Sequence, residues 1–248
     1  LGKLKTMKLK EFLKLIKAPI MILGSTIMIF SMISFFFGFQ ITLVKDLGVF
    51  TRAIYGIFYH LDLTHPFTIA SLFMSFVILI CSFTFFLMGW GDREKMKISS
   101  SQQGVMKFFS GVMMLLAIDE ILNLKYQLGQ NIEYLTGFLG GTELENLGYS
   151  WLILYLPAAF IGLFFFSLFF RKLIGSIRNA RQRTFGYRYF TAVIILVPLY
   201  YLITLLRIYL IWMGNPVDIL LYLEELSKLG MIYAVYGLVL KVSDNYNL

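Results

Sequence analysis

The chain has 248 residues, of which 58% are hydrophobic and only 15% charged, and its mean hydropathy is +0.76. Those figures exclude an ordinary soluble domain, and several apolar runs are long enough to cross a bilayer core about 30 Å thick. The net charge of +8 sits mostly in short segments between those runs. That distribution orients a membrane protein and attracts anionic headgroups, and with no nucleic-acid-binding signature beside it nucleic acid is not expected as a partner.

The opening segment, residues 3–17, is rich in lysine. Lys10, Lys14 and Lys17 recur at helical spacing, with Leu9, Phe12, Leu13 and Ile16 on another side. This predicts a basic amphipathic helix on a headgroup surface. The apolar run that follows is too long for a signal-peptide core and shows no small-residue cleavage site, so it reads as an uncleaved anchor, span one, at 19–39. Residues 40–66 keep Val44, Leu47, Phe50, Ile54, Ile57 and Leu61 at helical spacing, interrupted by Lys45, Asp46 and Arg52. An interfacial helix lying along the bilayer is expected there.

Span two is placed at 67–90. Its Cys81 is the single cysteine, which allows neither an intrachain disulfide nor a thiolate metal cage. A polar connection over 91–103 leads to span three at 104–124, with Lys107 near enough to its start to snorkel. A second polar connection, 125–149, holds Glu133, Glu143 and Glu145. Span four is placed at 150–170 and span five at 189–213, joined by a connection carrying Arg171, Lys172, Arg178, Arg181, Arg183 and Arg188. Pro157 and Pro198 fall inside these two spans, where neighbours must satisfy the freed carbonyls.

The turn Gly214-Asn215-Pro216 opens span six, 216–240. Asn215 as N-cap, Pro216 at the first helical position and Asp218 in the first turn form a coherent helix start. Trp90, Trp151 and Trp212 fall at span ends, as an aromatic belt requires. The expected fold class is therefore all-α. It is a single integral membrane domain over 1–248, a polytopic bundle of about six transmembrane helices with an N-terminal amphipathic helix and an interfacial helix. Six spans put both termini on one face, and the lysine-rich start, 91–103 and the arginine-rich connection make that face cytoplasmic. Lys10, Lys14, Lys17, Arg171, Lys172, Arg178, Arg181 and Arg183 are the residues expected to meet anionic headgroups.

Besides Lys107 and Asp218 near span starts, six charged residues fall deeper inside the spans. On a rise of about 1.5 Å per residue, Asp119 and Glu120 lie about 6–8 Å below the outer end of span three, and Arg207 about 9 Å below that of span five. Glu224 and Glu225 fall about 12–14 Å into span six, with Lys228 near the midplane. The short turn makes spans five and six antiparallel neighbours, which sets Arg207 opposite 222–225. Lys228 stands four and three residues after Glu224 and Glu225, so either can pair with it. Four acids and two bases at this depth must meet partners, whether as a structural network, a path for protons or ions, or a catalytic site.

The stretch His60-Leu61-Asp62-Leu63-Thr64-His65 holds both histidines of the chain. His60, Asp62 and His65 could supply borderline metal ligands, completed by Glu133, Glu143 or Glu145. Their five-residue spacing keeps the histidines off one helical face, and Pro66 makes an ordinary polar cap to span two. The predicted spans contain no histidine to serve as an axial haem ligand. Phe35-Phe36-Phe37 and Phe164-Phe165-Phe166 are explained by lipid contact more simply than by a quinone or pigment. No phosphate-cradling loop, nucleophile elbow or zinc-protease motif is present, and the sequence names no cofactor.

Leu116-Ala117-Ile118-Asp119-Glu120 and Leu223-Glu224-Glu225-Leu226 resemble elements of an uncharacterised family of small polytopic prokaryotic membrane proteins. That family has an Asp-Glu pair ending one span, a His-Glu pair soon after and a Glu-Glu pair in the last span. Lys125-Tyr126 stand here where the His-Glu pair would fall, which would cripple a metal site if the family's acids and histidine formed one. The resemblance covers about residues 104–241 and implies architecture and a prokaryotic inner membrane, without an activity. Three functions follow as expectations. The first is an accessory, non-catalytic subunit packed against other membrane protein subunits. The second is a proton- or ion-coupled carrier using Asp119, Glu120, Arg207 and Glu225. The third is a metal-dependent membrane enzyme using His60, Asp62 and His65.

Overall fold

A computed structural model describes residues 9–37, 68–91, 99–137, 139, 142, 144, 148–214 and 217–245. Among these residues the regular elements are all helical: α1 (Leu9–Phe37), α2 (Ile69–Trp90), α3 (Ser100–Leu122), α4 (Leu124–Thr136), α5 (Leu152–Gly175), α6 (Ala180–Trp212) and α7 (Asp218–Asn245). A 3-10 turn, Tyr149–Trp151, leads into α5. Five helices are long and apolar enough to cross a membrane: α1, α2, α5 with its lead-in turn, α6 and α7. Helix α3 also has spanning length at 23 residues. Gln102, Gln103 and Lys107 at one end and Asp119 and Glu120 at the other leave it less apolar than those five.

Three boundaries differ from the sequence reading. The amphipathic segment and span one are one continuous helix, α1, which runs through Pro19. The arginine-rich connection is mostly helix: Arg171 and Lys172 close α5, and Arg181, Arg183 and Arg188 open α6. The reason is length, because the 33 residues of α6 span about 50 Å, well beyond a bilayer core of about 30 Å, so its first turns can project past the apolar layer. Asn179 caps that projection, its side chain accepting from the Gln182 N–H at 3.2 Å. The polar connection after α3 contains the 13-residue helix α4. The interfacial helix expected over 40–66 and the cap at Asn215 and Pro216 lie outside the described residues.

Helices α2 and α7 are the inner members of the bundle; 67% and 61% of their apolar stretches are buried, against 6% for α5. Helix α2 packs most extensively on α3, and α6 on α7, while α7 also meets α1 and α2. Serines let α2 and α3 approach closely, with Ser75 Oγ donating to the Ala117 carbonyl and Ser82 Oγ to the Ser110 carbonyl, both at 2.8 Å. Such small residues are what membrane helices use to close on one another. Tyr233 and Tyr236 of α7 donate to the Ile20 and Leu13 carbonyls of α1.

At the end of the bundle holding the α2 C-terminus, Phe85, Phe109, Phe166 and Phe170 form a buried aromatic knot. Ring centroids there lie 4.3–6.2 Å apart. Phe166 is thus core, whereas Phe164 and Phe165 are exposed. Lys14 and Lys17 share a small cleft with Tyr189, Leu240, Lys241 and Asp244. The start of α1, the start of α6 and the end of α7 therefore lie at one end of the bundle, on the side of the arginine-rich turn.

Candidate functional site

The other end is built where α3 stops. Asn123 takes a left-handed conformation (φ 52°), its N–H closing on the Asp119 carbonyl at 2.7 Å, and α4 begins at the next residue. Asparagine tolerates that region better than most residues. The Asp119 carboxylate then accepts the Lys125 N–H at 2.7 Å, satisfying a first-turn donor of α4 and placing negative charge at the positive end of its dipole. Asp119 is therefore held by backbone, while its neighbour Glu120 points to a side-chain base.

Helix α7 supplies the hub. Lys228 Nζ donates to Glu120 Oε1 of α3 at 3.1 Å and also forms an ion pair with Glu225 Oε2 one turn back on its own helix. Glu224 meets α6, where Arg207 Nε lies 3.3 Å from its Oε2. Arg207 extends its other edge to Tyr149, donating from Nη2 at 2.9 Å with the guanidinium 5.6 Å from the ring centre. Glu224 thus ties α7 to α6 through Arg207, Lys228 ties it to α3 through Glu120, and Glu225 pairs with Lys228 within α7 itself.

Lys125 is the member that the sequence reading missed. Its ammonium donates to Tyr200 Oη at 3.2 Å and lies 5.3, 5.4 and 5.9 Å from the ring centres of Tyr126, Trp151 and Tyr200. Burial works against its charge. The oxygens of Tyr200 and Tyr126 and the carboxylates of Glu225 and Glu120 reverse that, holding the Lys125 pKa well above the ordinary lysine value. Faces of three aromatic rings also favour a cation. The side-chain layer is then three acids (Glu120, Glu224, Glu225) against three bases (Lys125, Arg207, Lys228), with Asp119 diverted to the cap. Trp151 belongs to this cradle and is buried, unlike Trp90 and Trp212, which are exposed at span ends.

Glu133 fastens the cover. It is buried on α4 and accepts the Gly148 N–H, the Ser150 N–H and the Ser150 hydroxyl at 3.1–3.2 Å. Beside it the backbone of Gly129 passes so close to Gly148 that a Cβ on Gly129 would lie 1.7 Å from the Gly148 carbonyl oxygen. Only glycine fits at that crossing. These contacts hold α4 across the α5 lead-in, directly over Arg207 and Tyr149. The sequence alone suggests a loop acid and a candidate metal ligand at Glu133, whereas the structure places it on α4 in this docking role.

His60, Asp62 and His65, together with Glu143 and Glu145, lie outside the described residues. Among the described residues no group of three or more His, Cys, Asp or Glu could hold a metal. Lys14, Lys17, Arg171, Lys172, Arg178, Arg181 and Arg183 are all exposed; the side chain of Lys10 is outside the described set. No family model, no curated protein and no solved structure matches this chain. Its functional reading therefore rests on the geometry of the layer and on the surfaces around it.

Proposed function

We propose that this chain is a non-catalytic, integral subunit of a larger membrane protein complex. The observation that carries the reading is α5, an apolar stretch of spanning length of which only 6% is buried, presenting Phe160, Ile161, Phe164, Phe165 and Leu168 outward. Its inward contacts are confined largely to Phe166, Phe170, Leu173 and Ile174. The polar layer adds support, since each carboxylate in it already has a base or a backbone partner. Below it the core of Met74, Val77, Ile78 and Leu229 continues to the aromatic knot, and the hydroxyls of Ser75 and Ser82 buried along the way already donate to backbone carbonyls of α3. That supports a clasp rather than a carrier path.

The test separates lipid from protein as the cover of α5. Lipid accepts any apolar outline, whereas a packed partner depends on shape. In mild detergent the native protein is expected to run well above the 28.7 kDa of one chain, with a second polypeptide at fixed stoichiometry. Combined Phe164→Ala and Phe165→Ala substitutions should release that polypeptide while leaving the chain inserted and folded. A lone monomer from native membranes, or a companion indifferent to both substitutions, overturns the reading.

The same proposal takes α3 as a sixth span, sets both termini on the cytoplasmic side and places the chain in a prokaryotic cytoplasmic membrane. The exposed Lys14, Lys17, Arg171, Lys172, Arg178, Arg181 and Arg183 then face anionic headgroups there. In right-side-out vesicles a membrane-impermeant maleimide should label Tyr134→Cys and spare Lys14→Cys. The reverse pattern would invert the orientation.

A further inference from the structure

Helix α4 is built the wrong way round for a helix facing water. Its charged side chains are Lys125 and Glu133, and both turn towards the protein, one into the aromatic cradle and the other against Gly148 and Ser150. The outward side carries Leu124, Leu128 and Leu135 along one stripe, with the uncharged Asn131 exposed among them and with Leu135 79% and Tyr134 88% exposed. Gln127 flanks the stripe, its amide donating to the Leu122 carbonyl. A surface helix in water shows the reverse, with charges outward and apolar residues inward.

The surroundings of the stripe are apolar and exposed as well. Ile118 and Leu122 precede it on α3 and Ile153 and Leu154 follow on α5, all of them exposed, so exposed apolar side chains bracket the leucines of α4 along the chain. Thirteen residues reach only about 20 Å as a helix, too short to cross a core of about 30 Å. Both ends of α4 lie at the same end of the bundle, joined to the close of α3 at Asn123 and held to the α5 lead-in at Gly148.

We propose that α4 lies in the membrane–water interface of the leaflet on the ion-pair side. Leu124, Leu128 and Leu135 immerse at the acyl boundary, and Gln127 and Tyr134 sit among the headgroups. With no formal charge on the exposed side, the occupant is the neutral or zwitterionic part of the leaflet. The consequence reaches the polar layer: Lys125, Tyr126 and Glu133 are held by a helix whose outer side rests on lipid. The layer is then sealed from water jointly by protein and bilayer.

Spin labels at Leu128→Cys, Leu135→Cys and Gln127→Cys, in phosphatidylcholine vesicles, test this directly. Cys81 is 1% exposed and leaves the introduced cysteine as the reactive one. The ratio of oxygen to water-soluble nickel-chelate accessibility is expected to be several-fold higher at 128 and 135 than at 127. Equal nickel access at all three positions means the leucines face water and overturns the proposal. Labels at 128 and 135 that are immobile and shielded from both reagents mean a protein covers the stripe, which overturns it too. Leu124→Cys, on the same stripe, serves if either leucine variant fails to fold.

Discussion

Replacing Lys228 by methionine is expected to destabilise the folded protein by about 3–5 kcal/mol, the cost of removing one partner from a buried ion pair. Lys228 stands between Glu120 and Glu225 with little exposure on any of the three side chains. Its loss leaves two carboxylates facing one another in a low-dielectric layer, where like charges repel and neither can recover its hydration. The methionine keeps the volume, so the loss reports charge rather than packing. Adding Glu225→Gln to Lys228→Met should restore a large part of it, because one of the two stranded charges is then gone. Unfolding of the wild type, both single variants and the double variant in one detergent gives the coupling energy as a cycle. A Lys228→Met protein that melts with the wild type would show that the layer does not hold α3 to α7.

What was legible beforehand follows from how much of each interaction is local. The spans are legible because burial in lipid demands long apolar runs, and composition records that directly. Helix α6 shows where this stops. Its apolar part is evident, but the arginine-rich start reads as a connection because polar residues at a headgroup surface are compatible with helix and loop alike. The opposition of Arg207 to 222–225 follows from the short turn alone.

Lys125 and Glu133 escape for a different reason. Both sit in a polar stretch whose composition matches a loop, and their roles depend on Tyr200, Trp151, Gly148 and Ser150, which are distant or carry no periodic signal. A hint was present in Asn123, a residue suited to the left-handed turn, followed by a stretch with leucines at 124, 128 and 135. Reading those three positions as one helical stripe would have set Lys125 to one side of it and Glu133 across the helix from it.

Arg207 gives the sharper test of what the layer is for. Its Nε serves Glu224 and its Nη2 serves Tyr149, two partners in two directions from one planar group. A lysine offers a compact charge on a flexible stem and cannot reproduce that fork. Arg207→Lys is therefore expected to lose about 1.5–3 kcal/mol, the worth of a hydrogen bond to a charged group. Arg207→Met should lose about 3–5 kcal/mol, because Glu224 is only 1% exposed and keeps a buried charge without its base. Glu224→Gln should rescue Arg207→Met in part and leave Arg207→Lys nearly unimproved, since an amide asks for no counter-charge. Thermal unfolding in detergent ranks the four variants. A clasp predicts that stability and recovery of the partner polypeptide fall together along this series. If Arg207→Met instead melted normally while ion or proton flux through reconstituted vesicles vanished, the layer would be a conduction path, and the carrier reading would replace the subunit.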